Sequence, residues 1–112
     1  MRNLIDGTGS RIDAEGMRLY RALIGDSAHV DGALRMMARW DLNPLIAALP
    51  QITAPVTFAI GLNDRTVPPE TTRQQAHRMP HATVIDCPGL GHLMHEEDPA
   101  RFAAMAREML AP

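Results

Sequence analysis

The chain is poor in the residues that usually announce chemistry: among 112 positions it has one cysteine, two serines and four aromatic residues. A single cysteine, Cys87, forms no internal disulfide, which fits the expected cytoplasmic setting or is merely uninformative about it. No run approaches the ~18 apolar residues needed to cross a bilayer. Residues Met1 to Gly7 also lack the apolar core of a signal peptide, so a protein without leader or transmembrane segment is expected. With 11 basic residues against 13 acidic ones the formal charge is -2, which leaves no basic footprint for nucleic acid. An apolar content of 46% with 21% charged residues excludes a disordered chain. The length suits one domain or part of one.

What is present is organised around Ala54-Pro55-Val56-Thr57-Phe58-Ala59-Ile60-Gly61-Leu62-Asn63-Asp64. Val56 to Ile60 is an unbroken apolar run between a proline and a glycine, the pattern of a strand buried on both faces of a parallel sheet. Ala82 to Cys87 repeats the theme and is stopped by Pro88 and Gly89. Chemistry collects beyond the carboxyl ends of such strands. Asp64 follows the first strand and Gly91-His92 follows the second, which makes them the candidate catalytic residues. A carboxylate can fix the tautomer of a histidine and stabilise its imidazolium, as a general base requires. Read alone, Asp64 is equally an Asx-turn residue and His92 a surface-loop histidine.

The other elements are helical. Residues 1–12 have no period and read as a loop or frayed terminus. Asp13 to Ile24 carries Met17, Tyr20, Leu23 and Ile24 at helical spacing. A second helix, capped by Asp26 or Ser27, reaches about Trp40 on a stripe of Val30, Leu34, Met37 and Trp40. Leu42 to Leu49, between Pro44 and Pro50, allows a short helix at most. Pro68-Pro69-Glu70 starts a helix that ends near Met79, anchored by Ala76 and Met79. Asp98 and Pro99 start the last helix, with a stripe of Phe102, Ala106, Met109 and Leu110. Of the eight methionines, Met17, Met36, Met37, Met105 and Met109 read as core or helix-interface residues rather than as a loose pocket for a large apolar ligand. The order β-α-β-α predicts a parallel pair.

These residues bring a family into view. Gly61-x-x-Asp64-x-x-x-Pro68, a helix, a strand, and then Gly89-Leu90-Gly91-His92 with Glu96 or Glu97 and Pro99 behind it resemble the C-terminal part of an α/β-hydrolase. With Trp40-Asp41-Leu42 ahead of the first strand, the chain resembles in particular the magnesium-chelatase accessory hydrolases of bacteriochlorophyll biosynthesis. The resemblance implies an α/β fold, with residues 1–49 as a helical cap-like segment and residues 50–112 as the C-terminal βαβα part of the core; read without it, the helices of residues 13–49 are also open to being ordinary packing helices of a small α+β domain. It implies Asp64 and His92 as the acid and the base of a triad, ester or acyl hydrolysis, and an apolar ester-like substrate. The family's nucleophile lies on a G-x-S-x-G elbow. Neither Ser10 nor Ser27 stands in that motif, so a C-terminal fragment, inactive by itself, is expected.

Competing sites are weaker. His92-x-x-His95-Glu96 lacks the i, i+4 helix spacing of a metalloprotease motif, and no paired cysteines support His77 or His81, so no metal or cofactor is expected. Glu96 and Glu97 read as acids favouring a helix N-terminus, and Cys87 as a buried, inert thiol. A strand this apolar with one neighbour leaves an edge open, which predicts a homodimer or association with the missing N-terminal half. The alternative is a non-catalytic accessory or interaction module derived from a hydrolase.

Overall fold

The computed structural model describes residues 2–111. Met1 and Pro112, the outer ends of the two expected segments, lie outside the described residues. In chain order the elements are α1 (Arg2–Gly7), α2 (Ala14–Gly25), α3 (Ser27–Met37), α4 (Asn43–Ala48), a 3-10 turn (Leu49–Gln51), β1 (Val56–Gly61), α5 (Pro69–Ala76), β2 (Ala82–Cys87), α6 (Met94–Glu97) and α7 (Pro99–Leu110).

The strands pair in parallel, Val56 opposite Ala82 and Gly61 opposite Cys87, so their carboxyl ends finish side by side. Val56, Thr57 and Ile60 in one strand and Thr83, Val84 and Ile85 in the other are β-branched residues suited to a pleated surface. A parallel pair needs a crossover, and α5 supplies it. Ile60, Ala76, Met79 and Cys87 form the buried centre where α5 and its following turn meet the strands, and Cys87 has no exposed surface. Burying side chains such as Ile60 and Met79 contributes about 1.5–3 kcal/mol each.

Several expectations need correction. The strand expected to be buried on both faces is only half-buried along Val56 to Ala59; burial is complete at Ile60 and Gly61, because among the described residues the sheet has two strands. Residues 2–7 form a helix rather than a loop, and Ile5 is buried. The second long helix stops at Met37, short of Trp40, with Asp26 as its cap: one carboxylate oxygen accepts from the N–H groups of Ala28 and His29. Its stripe is uncovered, with Leu34 58% and Trp40 60% exposed. In α7, Phe102 and Met105 are half-buried while Ala106, Met109 and Leu110 of the expected stripe are exposed. Asp98 caps that helix as expected, accepting from the Arg101 N–H at 3.2 Å.

The tightest packing lies just beyond the strand ends. A Cβ on Gly61 would stand 2.5 Å from the Gly91 carbonyl oxygen, and one on Gly91 would stand 2.5 Å from both the nitrogen and the hydroxyl oxygen of Ser10. Gly91→Ala is therefore expected to destabilise the chain by about 2 kcal/mol or more. Gly32→Ala, inside α3 with open space around it, should stabilise by about 0.5–1 kcal/mol. Urea melts of the two variants measure this, and equal midpoints would contradict the packing.

Candidate functional site

Backbone bonds beyond the strands carry the pairing into the two loops. The Leu62 N–H donates to the Cys87 carbonyl at 3.1 Å and the Asn63 N–H to the Leu90 carbonyl at 2.9 Å. The loops that hold Asp64 and His92 thus run together at one end of the sheet. Nδ1 of His92 lies 2.9 Å from Oδ2 of Asp64. An ionised carboxylate only accepts, so in a neutral imidazole this contact selects the tautomer with the proton on Nδ1 and the lone pair on Nε2. The other Asp64 oxygen, Oδ1, accepts from the N–H groups of Thr66 and Val67, each at 2.8 Å. The two oxygens of Asp64 thus have separate partners, the turn for Oδ1 and the imidazole for Oδ2. The turn bonds hold the carboxylate while its free oxygen faces the imidazole. The Asp64 side chain is 14% exposed and that of His92 37%, so the pair is partly shielded with the ring reachable.

The histidine loop is held from its other side by residues the sequence pattern had assigned to a frayed terminus. Thr8 offers one carbonyl oxygen to the N–H groups of both Arg65 and His92, each at 3.2 Å, which ties the acid loop to the histidine loop. Gly9, at φ +78°, turns the chain against the Asn63 carbonyl, where a side chain would not fit. Ser10 is buried, and its hydroxyl oxygen accepts from the Leu93 N–H at 2.8 Å. Glu97 is not a helix-dipole residue: it ends the short α6, and its carboxylate accepts from the Gly91 N–H at 2.7 Å and the Arg11 N–H at 2.9 Å. The signal in the sequence that could have found these residues is Gly9, which allows the close backbone approach.

Glu96 faces the other way, and its carboxylate accepts from the Tyr20 hydroxyl, linking α2 to α6. His77, His81 and His95 are exposed, and Cys87 sits at the end of β2. Among the described residues no group of three or more His, Cys, Asp or Glu is gathered as metal ligands would be. An open recess between the sheet and α7 is lined by Thr57, Ile85, Met105, Glu108 and Met109.

Residues 5–105 match the model of the alpha/beta hydrolase family. The chain belongs to that family. It is also 52% identical over 93 residues to the magnesium-chelatase 30 kDa subunit of Rhodobacter capsulatus, a match that covers 83% of this chain and 32% of that protein. The chain thus spans about a third of the length of this curated relative.

Desolvation, with the neighbouring Glu96 carboxylate adding to it, pushes the Tyr20 phenol up to about 12. The unfolded phenol titrates near 10, so the stability this group contributes is complete below about pH 10 and is lost as pH rises through about 12. Tyr20 is the sole tyrosine, so phenolate absorbance reads it directly. Glu96→Gln should lower the midpoint by part of the rise, leaving the share due to desolvation. An unchanged midpoint would mean that the carboxylate plays no part.

Proposed function

We propose that this chain is the C-terminal part of an α/β-hydrolase in which Asp64 and His92 serve as the acid and the base of a triad. The 2.9 Å approach of His92 Nδ1 to Asp64 Oδ2 carries this reading. It leaves Nε2 as the basic nitrogen, free to take a proton from a nucleophile and return it to a leaving group. Asp64 holds the ring in that tautomer and stabilises the imidazolium. The nucleophile comes from a G-x-S-x-G elbow outside the present sequence, and the reaction is ester or related acyl hydrolysis on an apolar substrate. Residues 1–49 act as the cap and residues 50–112 as the core portion, with the Tyr20–Glu96 hydrogen bond as a link between them. The likeness to the magnesium-chelatase 30 kDa subunit supports a role beside magnesium chelatase in bacteriochlorophyll synthesis, in the cytoplasm.

A second reading is a non-catalytic accessory module. It is favoured by the word subunit in that relative's name and by the absence of G-x-S-x-G from this sequence. Turnover separates the two readings. The chain alone should hydrolyse aryl esters no faster than buffer, whereas the chain joined to an upstream segment bearing the elbow should turn over. In that assembly His92→Ala should cost on the order of 10⁶-fold in kcat and Asp64→Asn on the order of 10⁴-fold. An assembly whose rate is indifferent to both changes would sink the triad.

The β1 edge opposite β2 has no partner strand among the described residues. Unpaired edges invite another strand, so the free chain should sediment as a homodimer or capture the upstream segment. A monomer that ignores that segment would contradict this.

A further inference from the structure

We propose that Glu97 and Ser10 are positioning residues for His92, anchoring the loop that carries the imidazole to residues 8–11. The proposal rests on the reading of Asp64 and His92 as a working pair. Three consecutive backbone donors of the histidine loop all find their acceptors outside it. Gly91 N–H donates to Glu97 Oε1 at 2.7 Å, His92 N–H to the Thr8 carbonyl at 3.2 Å, and Leu93 N–H to Ser10 Oγ at 2.8 Å. The second oxygen of Glu97 accepts from the Arg11 N–H at 2.9 Å, so the carboxylate bridges the loop and the same short segment. Residues 8, 10 and 11 therefore hold residues 91–93 directly or through one side chain.

The loop needs holding. Gly89, at φ +81°, and Gly91 bracket Leu90 just ahead of the ring, and glycines give a backbone wide freedom. Asp64 is held within its own turn by the N–H groups of Thr66 and Val67, and its loop meets the histidine loop at the Asn63–Leu90 bond and the shared Thr8 carbonyl. Beyond Leu90, the anchors at 91–93 set where the ring stands against that carboxylate. A carboxylate fits the bridging place because its two oxygens accept two N–H groups at once, and charge-assisted bonds of this kind are short and strong. Glutamine at 97 could accept from one of the two donors only. Neither Glu97 nor Ser10 reaches the reacting atoms; each acts on His92 through the backbone.

The test reads the tautomer of His92 in the 112-residue chain by long-range ¹H–¹⁵N NMR at about pH 8, above the ordinary histidine range. His92→Ala assigns the signal. Unmodified chain should show His92 with its proton on Nδ1, against the Nε2–H form that a free imidazole favours. Glu97→Ala and Ser10→Ala should each shift His92 toward the Nε2–H form, with Glu97→Gln falling between Glu97→Ala and the unmodified chain, while the amide spectrum away from the loop stays in place. If Glu97→Ala does not fold, Ser10→Ala decides. His92 held fully on Nδ1–H in the folded alanine variants would overturn the positioning role while leaving the acid–base pair standing. An unmodified chain without the Nδ1–H form would remove the pair itself, and the proposal with it. Tautomer shifts as expected, together with an inert assembled enzyme, would uphold the positioning and refute the hydrolase reading.

Discussion

The whole arrangement depends on the parallel register that ends with Gly61 opposite Cys87. Parallel pairing brings two carboxyl ends together and sends both following loops out at the same side. An antiparallel pair would have placed Asp64 and His92 at opposite ends. The register also sets how closely the loops pass, and only glycine at 61 and 91 permits that passage. From there the geometry is filled in by hydrogen bonds rather than by apolar contact. That suits a position where the sheet ends and little hydrophobic surface remains to be buried.

Burial and polarity are unevenly divided over the molecule. The few fully buried residues gather around the ends of the strands and the crossover helix, beside the acid and histidine loops. Away from them, Leu19 and Leu23 of α2, Leu34 and Met37 of α3, Trp40 in the stretch that follows and Leu45 of α4 are exposed. Exposed apolar surface of that extent is uncommon on a self-contained soluble domain. It accords with a chain that spans about a third of the length of its curated relative.

The strands and the loop residues were legible because their signals are local. A β-branched run between proline and glycine marks each strand, and an acid or a histidine after the breaker marks each loop. The cap at Asp98 was legible for the same reason, since its partner is three residues away. What could not be read depends on long-range contact. Ser10 is buried against the histidine loop, 83 residues from its partner Leu93, and no periodicity in residues 2–12 announces that. Glu97 looked like any acid near a helix start, yet its acceptors serve Gly91 and Arg11, the latter 86 residues away. The helical stripes were correctly periodic, but periodicity says which face is apolar and not whether anything covers it; Leu34, Trp40 and Met109 are uncovered. Asp64 shows a subtler gap. Turn residue and histidine partner read as alternatives, whereas a carboxylate has two oxygens and Asp64 turns one to each.

Cys87 closes β2 five positions before His92, holds the chain's single thiol, and exposes none of its surface. Its sulfur can meet a solvent-borne alkylating reagent only when the strand end parts, and the alkylation rate then clocks how often that end breathes. The fold has thereby placed a self-contained stopwatch under the loop where the acid and the histidine meet.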